Sequence, residues 1–127
     1  MNLPTGHQTV MPYLIVNGAL RFIEFTKSVF NAEVTLSMHK MREDYKTVIH
    51  SEITIGGSTI MFTDATEQWA KQTANLFVYV ANADETYKKA LESGATSLME
   101  LSDQNYGRTC GVKDPFENTW WITSINK

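Results

Sequence analysis

The sequence predicts an α+β fold: one domain made of two successive modules, each ordered strand, helix and three strands (βαβββ). Three observations point there. Two segments with helical apolar spacing, "ALRFIEFTKSVF" and "NADETYKKALESGA", each follow a short apolar strand. Each is followed by strand-like runs separated by turn residues, Gly56-Gly57 in the first half and "DPFEN" in the second. Equivalent positions recur 64 residues apart, Val16 with Val80, Ala19 with Ala83 and Ile23 with Tyr87. The expected division is a tail over 1–9, a first module over 10–64, a connector over 65–74 and a second module over 75–127.

In order, "VMPYLIV" from Val10 reads as the first strand, and Asn17 is placed to cap the helix that follows. That helix has Phe22, Ile23, Thr26, Val29 and Phe30 on one face. "AEVTLSMHKM" reads as one strand and "REDY" as a polar turn. "KTVIHSEITI" and "STIMFTD" form a hairpin about the two glycines, and "ATEQWAKQT" is a connector. The second module opens with the strand "NLFVYV". Its helix is capped by Asn82 with Glu85 three residues on, and Gly94 is its stop. "TSLMEL" is a strand and "SDQNYG" a loop. Asp114-Pro115 with Glu117-Asn118 turns the chain between the strands "RTCGV" and "TWWI".

Bulk properties narrow the function. The 127 residues are 43% hydrophobic and 20% charged, an ordinary globular balance with enough chain for a core. A formal charge of −3 gives no basic face for phosphate contacts, so nucleic acid is not an expected partner. No apolar run approaches the roughly 20 residues of a membrane span, and the N-terminus lacks the pattern of a signal peptide. A single cysteine, Cys110, cannot form an internal disulfide, and a cytoplasmic location is expected.

Strand alternation divides the side chains. The glycine turn pairs Ile55 with Ser58, Ile53 with Ile60 and Glu52 with Met61. Ile49, Ile53, Ile55, Ile60 and Phe62 should then lie under a helix, with Leu76, Val78, Trp120 and Ile122 in the second module. Val48, His50, Glu52, Thr54, Thr59, Met61 and Thr63 share the other face, either a solvated surface or one wall of a polar cleft. Adjacent Trp120 and Trp121 must point to opposite faces, Trp120 into the core.

The stretches "PYLIVNGALRFIEFTKSVFNAEV", "VIHSEITIGGSTIMFTD", "VANADETYKKALESGAT" and "YGRTCGVKDPFENTWWI" resemble the vicinal oxygen chelate superfamily, and most of all its PhnB-like branch. That superfamily includes glyoxalase I, bleomycin and fosfomycin resistance proteins and extradiol dioxygenases. The resemblance implies two βαβββ modules whose sheets curve around a cleft, and commonly a homodimer. In metal-dependent members, the first and last strand of each module supply His, Gln or Glu ligands. Carried over, those positions are Met11, Met61, Asn75 and Trp121. A thioether is a soft ligand, an Asn amide a poor one for zinc or nickel, and Trp only donates. No metal and no other cofactor is therefore expected.

The remaining cleft lining follows from the same alternation: Tyr13 and Ile15 beside Met11, Phe77 and Tyr79 beside Asn75, and Arg108, Cys110 and Val112 opposite Trp121. Such an aromatic lining either takes a small apolar or planar molecule or fills the cleft itself. His50 and Glu52 are candidates for an acid/base pair, or for ligand anchoring or structural hydrogen bonding. Tyr106 and Arg108 flank a glycine and either gate the cleft or, for Arg108, form a structural ion pair. Some PhnB-like sequences carry a methyltransferase label, but this chain has no stretch resembling a glycine-rich nucleotide site. The reading is a metal-free small-molecule-binding protein for sequestration or sensing. The alternative is an enzyme of the glyoxalase/dioxygenase superfamily acting on a small molecule, using His50, Glu52 or Arg108 without metal or with His50 and Glu52 as a partial metal site.

Overall fold

The computed structural model describes residues 1–125 and divides into two compact units, residues 1–27 with 31–72, and residues 28–30 with the chain from Thr73 onward. The first unit runs β1 (Tyr13–Val16), α1 (Ala19–Phe30), β2 (Glu33–Val34), β3 (Lys40–Met41), β4 (Val48–Ile55) and β5 (Ser58–Asp64). Its sheet has the order β1-β5-β4-β2, with β3 paired to β4 and β1 parallel to β5. The last turn of α1 is counted with the second unit.

Helix α1 buries Ala19, Phe22, Ile23, Thr26, Val29 and Phe30, the amphipathic stripe its spacing predicts. Phe22 meets Phe62 edge to face, with ring centres 5.0 Å apart. The helix ends at Asn31, whose left-handed backbone (φ 56°) lets its N–H return to the Lys27 carbonyl. Its start differs from expectation. Gly18, not Asn17, is the N-cap residue, and its positive φ of 101° suits glycine. The Asp64 carboxylate caps the helix from the end of β5, accepting from the N–H groups of Gly18 (3.0 Å) and Ala19 (2.9 Å). Its other oxygen accepts from Val48 N–H at 2.7 Å, so one carboxylate joins α1, β4 and β5.

The hairpin register is the predicted one: Ile55 opposite Ser58, Ile53 opposite Ile60, Glu52 opposite Met61. Ile53, Ile60 and Phe62 are buried as expected. Two local departures change the faces. "AEVTLSMHKM" is not one strand. Between the pairs Val34–Ile53 and Lys40–His50 it has five residues (35–39) facing two on β4 (51 and 52). The surplus coils into a 3-10 turn over Leu36–Met38. Further along, Lys40 pairs with His50 and Met41 with Val48, leaving Ile49 unpaired across β3. At this bulge Val48 is fully buried and Ile49 exposed, the reverse of the expected alternation.

The second unit runs β6 (Asn75–Tyr79), α2 (Ala83–Glu92), β7 (Thr96–Gln104), β8 (Gly107–Lys113) and β9 (Thr119–Ser124), with sheet order β6-β9-β8-β7 and β6 parallel to β9. Asn82 caps α2 by accepting from Glu85 N–H, and Gly94 (φ 103°) follows its end, both as read from the sequence. Strand β7 extends through the first half of the segment read as a loop, "SDQNYG", and Gly107 opens β8. In the Asp114-Pro115 turn the Asp114 carboxylate accepts from Phe116 and Asn118 N–H, from the Asn118 amide and from the Trp120 indole. Trp120 is buried and packs on Phe30 with ring centres 4.5 Å apart, and Ile122 is fully buried. Leu76 and Val78 are only half-buried. The whole is the α+β, tandem βαβββ architecture that the sequence predicts.

Candidate functional site

The first unit's sheet presents one face on which Tyr13 and Ile15 of β1 stand beside Met61 and Thr63 of β5, with Glu52 across from Met61. The strand starts at Tyr13, so Met11 precedes it by two residues, and Pro12 contributes its carbonyl to Met61 N–H. Through the bulge, Ile49 joins this face. Together with Arg42 from the β3–β4 loop and Trp69 from the connector, Tyr13, Ile15, Ile49 and Thr63 line a cavity of about 420 Å³.

Three of these positions were not legible as site residues: Ile49, expected under the helix, Trp69 and Arg42. Trp69 lies in a segment read only as a connector. That segment returns along the outer edge of β1, where Ile15 and Gln72 exchange both backbone hydrogen bonds (3.0 and 2.9 Å). Thr66 closes the turn, its N–H donating to the Trp69 carbonyl and its hydroxyl accepting from Trp69 N–H. Arg42 belongs to the predicted polar turn. Asp44 shapes this loop, accepting from Lys46 and Thr47 N–H, and those bonds hold its carboxyl below the ordinary value. The Arg42 guanidinium donates to the carbonyls of Val48 (3.2 Å) and Asp64 (3.4 Å).

Beside the cavity runs a chain of polar groups. The Tyr13 hydroxyl lies 3.5 Å from His50 Nδ1, and His50 Nε2 is 2.9 Å from Glu52 Oε2. Glu52 Oε1 is 2.7 Å from Nε2 of His7. Glu52 is only 1% exposed, and burial alone pushes its carboxyl up. The hydrogen bonds from His50 and His7, with the charge on those rings, outweigh burial and leave it below the ordinary value. An ionised Glu52 accepts from both imidazoles, and in the neutral His50 tautomer that carries its proton on Nε2, Nδ1 faces the tyrosine as an acceptor. His7 comes from the segment read as a tail. Gly6 and Gln8 dock beside it: the Gly6 carbonyl accepts from the Thr59 hydroxyl, and the Gln8 amide donates to the Thr59 carbonyl at 2.8 Å.

A family model described as the Glyoxalase/Bleomycin resistance protein/Dioxygenase superfamily matches residues 7–122. The chain belongs to this superfamily. Uncharacterized proteins of Mycobacterium bovis and Mycobacterium tuberculosis are 27% identical to it over 121 residues, covering 86% of this chain and 78% and 69% of theirs. The structure of a PhnB protein from Bacillus cereus is similar with a TM-score of 0.75 at 20% identity, covering 93% of this chain and 100% of that one. The fosfomycin resistance protein FosX of Listeria monocytogenes gives 0.69 at 14% identity, with 94% and 93% covered. These likenesses are of fold.

At the four positions where metal-dependent members of the superfamily are expected to hold their ion, the side chains do not fit one. Met11 and Met61 offer thioethers. The Asn75 carbonyl oxygen already accepts from the Trp121 indole at 2.6 Å, so each occupies the other. Among the described residues no three His, Cys, Asp or Glu side chains form a metal-holding group.

The other expected lining residues separate. Phe77 and Tyr79 are exposed on β6, their rings 5.2 Å apart, and Phe77 pairs with Trp121. Tyr106 is exposed in the β7–β8 turn. Arg108, Cys110 and Val112 do not lie opposite Trp121: Gly111 does, and the three pair with Ser124, Ile122 and Trp120. The alternation was one residue out, and they occupy the same face as Trp120. Arg108 holds Asp84 at the start of α2 through two bonds of 3.0 and 3.1 Å and reaches Asp103 at 3.4 Å. Those hydrogen bonds raise the Arg108 guanidinium further and lower Asp84. This is the structural ion pair of the two readings. Cys110 is fully buried, and burial pushes its thiol up to about 11.

Proposed function

We propose that the protein binds a small, largely apolar molecule in the first unit's cavity, without a metal, for sequestration or sensing. One observation carries this reading. The cavity has ligand-sized volume, about 420 Å³, and its walls are Tyr13, Trp69, Ile15 and Ile49. Membership of a superfamily that includes bleomycin resistance proteins supports the same reading. The mismatch of Met11, Met61, Asn75 and Trp121 with metal chemistry supports binding without an ion. Native mass spectrometry of freshly purified protein should show a retained small molecule that Trp69→Ala loses. A bare wild-type mass, together with equal uptake of an apolar dye by wild type and Trp69→Ala, would count against it.

A second reading, an enzyme, is favoured by the Tyr13–His50–Glu52 chain, because Tyr13 belongs to both the cavity wall and the chain. Glu52 fixes the imidazole, which can then take a proton through the tyrosine hydroxyl. Turnover abolished by His50→Ala and Tyr13→Phe alike would establish this reading over simple binding. We also propose a homodimer in the cytoplasm. Exposed Phe77 and Tyr79 on edge strand β6 support association, and the single buried cysteine suits a reducing compartment. A monomer in light scattering at tens of micromolar, the range of weak association, would contradict the dimer.

A further inference from the structure

We propose that the molecule taken by this cavity is an organic anion, a planar apolar body bearing one carboxylate, and that Arg42 is the residue that binds its charge. The inference rests on the reading of the cavity as a ligand site and names the ligand's chemistry. Of the six described residues that line it, Arg42 alone is charged. Its guanidinium donates to two backbone carbonyls, those of Val48 and Asp64. A guanidinium has five N–H donors, so three remain for a ligand. Among the described residues no carboxylate forms an ion pair with it, whereas Arg108 is taken up by Asp84 and Asp103. Asp44 feels the Arg42 charge but spends its own oxygens on Lys46 and Thr47.

The geometry therefore holds a half-buried cation in place and leaves its donors open, the arrangement that binds a carboxylate at low ordering cost. Thr63 does not compete for the ligand's oxygens, because its hydroxyl donates to the Val48 carbonyl at 3.3 Å. Aromatic walls alone would also accept a cation. The fixed positive charge of Arg42 opposes that, and among the described residues no Asp or Glu lines the cavity to offset it. Tyr13 and Trp69 give the walls that a flat ring system covers well.

The test is calorimetric titration of the full chain with three probes of one shape, 1-naphthoate, 1-naphthamide and 1-naphthylmethylamine. The acid should bind at least about tenfold more tightly than the neutral amide, the margin of a charge-assisted pair over a neutral hydrogen bond, and the amine should bind least. Arg42→Gln should erase the preference for the acid, and Arg42→Lys should keep part of it. The wild-type ratio of acid to amide decides the matter even where Arg42→Gln folds poorly. Equal binding of acid and amide overturns the anion assignment and leaves the cavity reading standing. Failure of all three to bind overturns both.

Discussion

Replacing Glu52 with Leu removes the acceptor on which His7 and His50 converge, at 2.7 and 2.9 Å. Leu keeps an apolar side chain of similar size in the space, so the lost hydrogen bonds dominate over any cavity. A hydrogen bond to a charged group contributes about 1.5–3 kcal/mol. The two histidines keep partial access to water, 11% and 20% exposed, which places each bond at the low end. The pair is then worth about 3 kcal/mol, which over a domain of this size lowers Tm by about 10 °C. Glu52→Gln retains one acceptor and should lose about half as much. The pH dependence has a definite sign. A carboxylate whose folded pKa is depressed contributes stability that is present above its unfolded value, near 4.5, and lost as pH falls through the lower folded value. The wild-type advantage over Glu52→Leu should be full at neutral pH and shrink below that value. Scanning calorimetry of both proteins down through the carboxylate range measures this directly. A Tm within about 2 °C of wild type at neutral pH would refute the bridging role of Glu52.

Asp64→Ala should be comparably severe, about 2–4 kcal/mol, because it uncaps α1 and leaves the buried Val48 N–H without its acceptor. Chemical denaturation checks it, and an unchanged midpoint would contradict the capping role. Gly111→Ala places a Cβ 2.3 Å from the Trp121 ring. The indole must move off Asn75, costing about 1–3 kcal/mol and changing the Trp emission, whereas an unchanged spectrum would show that the ring does not lie there. Cys110, with its thiol pushed up to about 11 by burial, should resist thiol reagents at neutral pH until the protein unfolds. Modification in the native state at the rate of a free thiol would show otherwise.

Local signals were legible where the chain's own periodicity sets the structure. Gly56-Gly57 and the two-residue alternation around it gave the β4–β5 register, and Asn82 with Glu85 gave the start of α2. What could not be read depends on partners distant in sequence. Asp64 caps a helix that starts 45 residues earlier, and His7 finds Glu52 at the same separation. Ile49 leaves its expected face because β3 offers one residue fewer than β4 needs, a count that exists only once the strands pair. That bulge is what brings an apolar side chain to the cavity. Trp69 left one trace, a lone aromatic in the polar stretch "ATEQWAKQT", but only the return of Gln72 to β1 places it on the site. Arg108 was assigned from a register one residue out, and its bonds to Asp84 show the face it occupies.

The claim that the first unit's cavity receives a small molecule is tested most directly by fluorine NMR of protein labelled with 5-fluorotryptophan. The chain has three tryptophans, and each is assigned by replacing one with Phe. On addition of 1-naphthoate, or of the neutral 1-naphthamide, the Trp69 resonance should shift and saturate while that of buried Trp120 stays in place. A Trp69 resonance unmoved by either probe, while that of Trp121 shifts and saturates, would contradict the account and place binding outside this cavity.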